Sequence, residues 1–98
     1  MIVQKTVENG TEVLTISGRL DTQTAPDLEQ ELDKIGEGCK TLILDLSGLE
    51  YISSAGLRVI LKAQKYMAAK GGMKITGVNE TVMEIFDITG FLDILTIE

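Results

Sequence analysis

The chain has 98 residues, 44% of them hydrophobic and 24% charged, with a formal net charge of −6. These proportions fit one domain with a single core and exclude an active site enclosed between two lobes; no apolar run approaches the ~20 residues that cross a bilayer and no leader pattern opens the chain, so a cytoplasmic location is expected. The acidic balance argues against nucleic acid and anionic membrane surfaces as partners, the absence of histidine removes the commonest metal ligand and general base, and the single cysteine excludes an internal disulfide.

Ile2 to Val7 and Glu12 to Ser17 are rich in β-branched residues, and Asn9-Gly10 between them favours a type I′ turn. An N-terminal antiparallel hairpin is predicted. Thr24, with Asp27 three residues on and Pro26 between, predicts the start of a helix whose apolar stripe is Ala25, Leu28, Leu32 and Ile35, with Gly36 as its left-handed cap. Cys39 follows in a loop, where it reads as a packing thiol because no imidazole exists to activate it. Leu42-Ile43-Leu44 reads as a strand buried on both faces, ending at Asp45, and Asp45-Leu46-Ser47-Gly48 has the composition of a turn.

Ser53 is placed to cap a second helix and Ser54 to occupy its first position, with Leu57, Ile60, Leu61, Gln64 and Ala68 along one face and Gly71-Gly72 as the stop. Met73 to Gly77 is a short strand, Asn79 caps a third helix through Ile88, Gly90 ends it, and Phe91 to Ile97 closes the core. Strands alternating with helices after a hairpin imply an α/β domain over residues 1–98 with a mixed sheet.

Two serines at a helix start lie among its free N–H groups and positive dipole end. Ser53 is accounted for as a cap, which leaves the Ser54 hydroxyl uncommitted beside small neighbours and open to phosphorylation. Asp45, at the carboxyl end of a parallel strand, is either a turn residue or the phosphoacceptor of a receiver-type domain. Without histidine a Ser-His-acid triad is impossible, and no G-x-x-x-x-G-K-S/T run occurs, so no P-loop is present. Neither a catalytic set nor a metal or cofactor site is expected, and the protein is not read as an enzyme.

The run Asp45-Leu46-Ser47-Gly48-Leu49-Glu50-Tyr51-Ile52-Ser53-Ser54-Ala55-Gly56-Leu57 resembles the signature of anti-sigma factor antagonists, bacterial members of the STAS domain family, and Gly18-Arg19-Leu20-Asp21-Thr22-Gln23-Thr24-Ala25 resembles that family's second landmark. The resemblance implies a switch. An unmodified antagonist binds an anti-sigma factor that is also a serine kinase and so frees a sigma factor; the kinase phosphorylates the antagonist and ends the complex, and a phosphoserine phosphatase resets it. Matched residue by residue, the phosphoacceptor falls on Ser54, followed by Gly56 and Leu57, with Asp21 and Thr22 in the neighbouring partner-binding loop. Ser53 stands where the family commonly has aspartate, and Ala55 replaces a frequent hydroxyl residue, so Ser53 is the one adjacent competitor for modification. The alternative implied by the same family is a STAS subunit of a larger assembly, such as a lipid-transport complex or stress-signalling scaffold, in which Ser54 need not be modified.

Overall fold

The predicted hairpin is present: β1 (Ile2–Glu8) and β2 (Thr11–Leu20) pair antiparallel across Asn9 and Gly10, whose φ values of 50° and 83° are those a type I′ turn demands. The computed structural model describes residues 1–98 and continues with α1 (Ala25–Asp33), β3 (Thr41–Ile52), α2 (Ser54–Ala68), β4 (Met73–Thr76), α3 (Glu80–Ile88) and a 3-10 turn at Phe91–Asp93. The sheet order is β1-β2-β3-β4, antiparallel at the hairpin and parallel thereafter, which is the expected mixed α/β architecture.

Because the parallel strands advance in one direction, right-handed crossovers put α1 and α2 on the same face of the sheet. Leu14, Ile16 and Leu20 of β2 and Leu42, Leu44 and Leu46 of β3 are buried on that face, while Val13, Thr15, Ile43 and Asp45 between them are half-exposed. The expectation of a central strand covered on both sides is therefore corrected. A singly wound sheet has only one helical layer, and the apolar run in the sequence cannot reveal how many layers will cover it.

β3 is also longer than expected, since Asp45-Leu46-Ser47-Gly48 continues the strand instead of turning. Two bulges explain the turn-like composition. Thr15 pairs with Asp45 but Ser17 with Gly48, and Gly18 pairs with Leu49 but Arg19 with Tyr51, so at each step β3 carries one residue more than β2. Each insertion resets the alternation, and the buried positions run Leu46, Leu49, Ile52 at intervals of three.

Three further expectations shift. Gly36 does not cap α1: Lys34 and Ile35 donate to the carbonyls of Glu31 and Leu32 at 3.2 and 3.1 Å, a tightened last turn that needs no left-handed residue. Gly36 instead donates its N–H to Glu12 Oε2 at 3.1 Å. Along α2 the buried ridge is Gly56, Leu57, Val59, Ile60, Ala63 and Met67, whereas Leu61 and Gln64 are half-buried and Ala68 is exposed. The helix is rotated because Gly56 lets its first turn settle onto the sheet. At the C-terminus Leu95 is buried, Phe91 stacks on Phe86 at 6.4 Å and Ile97 bridges to Ile75 as an incipient parallel strand, but Leu92 and Ile94 point outward.

Cys39 is buried next to Glu12, the one buried charged residue, whose Oε1 faces Lys5 Nζ at 3.1 Å. Burial first, and then the negative charge of Glu12, push the thiol above its ordinary pKa. Since the thiolate is the reactive form, Cys39 is expected to resist iodoacetamide at pH 8 in the native protein and to react at a free-thiol rate in denaturant, as followed by mass. Equal rates in both would mean that the loop opens readily.

Candidate functional site

The carboxyl ends of β2 and β3 lie side by side, and each runs into a helix. Arg19 pairs with Tyr51 and Leu20 with Ile52 across the strands, and the Leu20 carbonyl accepts the Ser53 N–H at 2.8 Å. The two motifs singled out in the sequence thus become one surface, with the Asp21 turn beside the Ser53–Ser54 helix start.

Ser53 is extended, with φ −97° and ψ 174°, and its Oγ accepts the Gly56 N–H at 3.4 Å while its carbonyl accepts from Leu57 at 2.9 Å. It is the predicted cap. Ser54, the first residue of α2, is exposed, and the N–H groups of Ser54 and Ala55 have no acceptor within the chain. A helix start with free donors favours an anion.

Ala55 is half-buried, and Gly56 and Leu57 are buried, so they underlie the surface. A Cβ on Gly56 would stand 2.6 Å from Leu20 Cγ, 2.9 Å from Ile52 Cγ1 and 3.0 Å from the Leu20 carbonyl oxygen. Only glycine allows so close an approach of helix to strand, and that approach sets the height at which Ser54 stands.

On the neighbouring turn, Asp21 Oδ1 accepts the N–H groups of Gln23 and Thr24 at 3.0 and 3.1 Å. Thr24 is the residue before α1 but makes no side-chain cap; its hydroxyl donates to the Arg19 carbonyl at 2.8 Å and accepts the Asp21 N–H at 2.8 Å. This corrects the sequence reading, in which Thr24 caps the helix. The bond from the Thr24 N–H holds the Asp21 carboxyl below its ordinary pKa against desolvation, the next largest influence, with lesser help from the Gln23 N–H, the Thr24 hydroxyl and Arg19. A carboxylate so lowered lends its support above its unfolded pKa and loses it as pH falls through the lower folded value, so the turn keeps its charge at neutral pH. Thr22 is exposed at the tip.

Asp45 belongs to the first bulge of β3: its Oδ1 accepts the Ser47 N–H at 3.0 Å, and Gly77, at φ 70°, lies so close that a Cβ there would meet Ser47 at 2.9 Å. Its place is thus in shaping the strand. The sequence reading missed three contributors. Leu20 seats both motifs through its carbonyl and side chain. The Arg19 guanidinium lies 4.5 Å from the centre of the Tyr51 ring and draws the two strand ends together. Asn79, predicted only as a cap, accepts the Val82 N–H at 2.9 Å and also donates to the Leu49 carbonyl at 2.6 Å, fixing the second bulge. Leu20 and Arg19 were visible inside the Gly18 to Ala25 motif, but their pairing with Ile52 and Tyr51 depends on the strand register.

The same arrangement of strands and helices is known. The crystal structure of an anti-sigma factor antagonist from Mycobacterium paratuberculosis superimposes with a TM-score of 0.89, covering 98% of this chain and 83% of that one at 23% sequence identity. Among relatives by sequence, the anti-sigma-B factor antagonist of Bacillus subtilis is 34% identical over 91 residues, spanning 92% of this chain and 83% of the relative. The anti-sigma F factor antagonist of Paenibacillus polymyxa is 32% identical over 91 residues, spanning 90% and 78%. Residues 3–98 match the model of the STAS domain, and the chain belongs to the STAS domain family.

Proposed function

We propose that this protein is an anti-sigma factor antagonist whose unmodified form binds an anti-sigma factor with serine kinase activity, and that phosphorylation of Ser54 ends the complex. The observation that carries the reading is the exposed Ser54 hydroxyl at the first position of α2, beside a turn ordered by Asp21. The relatives named anti-sigma factor antagonists at 32–34% identity support the antagonist part of it. The protein acts by binding and not by catalysis: Asp21, Thr22, Ser53 and Ser54 face the partner, and Ala55, Gly56 and Leu57 support them from beneath. A phosphoserine phosphatase restores the binding form.

Phosphate adds about −1.5 to −2 charges. The free N–H groups at the start of α2 accommodate it within the protein, so the fold persists and the loss falls on the partner contact. The reading is tested by incubating the purified protein with the anti-sigma kinase of its own organism and ATP, then mapping phosphoserine by mass. Ser54→Ala is expected to abolish incorporation and Ser53→Ala to retain it. Incorporation that survives Ser54→Ala and vanishes in Ser53→Ala moves the acceptor by one residue; none in the wild type favours a STAS subunit that does not switch.

A further inference from the structure

Three of the six large apolar side chains that the molecule exposes fall within seven residues of one another: Ile88 at 83%, Leu92 at 39% and Ile94 at 47%. They are not scattered. Leu92 closes a groove against the outer side of α3, with Val78 and Met83 as its other apolar walls and Glu80, Glu84 and Asp87 along its rim, enclosing about 530 Å³. The three carboxylates recur at the spacing of one helix face, i, i+4 and i+7, and Ile88 follows Glu84 by one turn on that face.

None of these carboxylates has a cationic partner in the protein. Every lysine or arginine within salt-bridge distance of an acid is paired elsewhere, with Glu12, Asp21, Glu29, Glu31 or Glu98. The groove is lined by no basic residue at all. Ile88, the last residue of α3, stays exposed on this acidic face and Leu92 lines the groove, whereas exposed apolar side chains on small proteins are ordinarily dispersed.

We propose that the groove between α3 and the 3-10 turn is a docking site for a basic amphipathic helix of a partner protein. The partner would set two or three apolar side chains at i, i+3 or i+4 and i+7 against Val78, Met83 and Leu92 and reach Ile88 at the end of α3, with lysines or arginines toward Glu80, Glu84 and Asp87. The charge fixes the choice of occupant. A second copy of this chain, at −6, would bring like charge to the rim, and an anionic lipid surface would be repelled. The site starts at Asn79, whose side chain is tied to β3, so it is continuous with the carboxyl end of the sheet, yet it does not depend on modification of Ser54.

The test uses a fluorescein-labelled helical peptide of leucine and lysine with an amphipathic repeat, and a scrambled peptide of the same composition, read by fluorescence anisotropy at physiological salt. The wild type is expected to bind the amphipathic peptide at least tenfold more tightly than the scramble. Ile88→Ser with Leu92→Ser, and separately Glu84→Lys with Asp87→Lys, should each weaken it at least tenfold. Glu8→Lys with Glu37→Lys changes the net charge by the same amount at exposed sites elsewhere and should shift affinity by less than threefold. Equal loss in both charge variants, or equal binding of both peptides, means bulk attraction to an acidic protein and overturns the proposal. So does the absence of wild-type binding. Circular dichroism of each variant separates unfolding from loss of the site, and because Glu84, Asp87, Ile88 and Leu92 are all exposed, the fold is expected to persist.

Discussion

Ser54→Asp is expected to weaken the complex with the anti-sigma kinase at least a hundredfold, about 2.7 kcal/mol, while changing the free energy of unfolding by less than about 1 kcal/mol. The two halves of this outcome have one cause. Ser54 is exposed at the first position of α2, where a carboxylate meets free N–H groups and the positive end of the helix dipole, so the isolated protein gains slightly or not at all. In the proposed complex the same charge would be covered by the partner, and an unpaired charge at a covered interface typically costs about 2–5 kcal/mol. Isothermal titration against the kinase, paired with urea unfolding, reads both quantities. Full-strength binding by the aspartate variant would place Ser54 outside the contact, and a large loss of stability would contradict the surface position.

Gly56→Ala is expected to destabilise the fold by about 2 kcal/mol, against the sign of helix propensity. At an ordinary helical position the change would help by about 1 kcal/mol, since alanine is the better helix former. Here the added methyl lands 2.6 Å from Leu20 Cγ and 3.0 Å from the Leu20 carbonyl oxygen, and the latter is backbone that also accepts the Ser53 N–H. Overpacking of this kind typically costs about 1–3 kcal/mol, and no flexible side-chain end is available to yield against the carbonyl, so the clash wins. The structure has one way to relieve it, lifting the first turn of α2 from the sheet. Gly56→Ala should therefore also lower partner affinity while leaving Ser54 itself untouched. A fall in the urea midpoint at unchanged m is the expected signature, and a variant as stable as the wild type would mean that the helix seat is soft.

The local chemistry of the chain was legible without its structure. Asn9-Gly10 specified the hairpin turn, Ser53 and Asn79 the starts of α2 and α3, and Gly71-Gly72 the end of α2, where both N–H groups converge on the Met67 carbonyl at 2.9 and 2.8 Å. Each of these depends on residues within about one helical turn, which is the range over which backbone sterics and caps act. The place of Ser54 followed from the same rule.

What failed were statements about relations between distant segments. Whether Leu42-Ile43-Leu44 is covered on one face or two depends on the order of the strands, and whether Asp45 to Gly48 turns or bulges depends on what β2 offers opposite. The buried face of α2 was misjudged because its rotation is set by the contact of Gly56 with Leu20 and Ile52, residues of two strands. Thr24 was free to cap α1 by itself but is claimed by Arg19 and Asp21 once the turn folds. Short-range chemistry was enough to place the hairpin turn, the starts of α2 and α3, the end of α2 and the serine left uncommitted beside the cap, but not the end of α1 or the length of β3. That the Asp21 turn lies beside Ser54 and that Leu92 and Ile94 are exposed came from packing between segments far apart in the chain, which is a property of their shapes together.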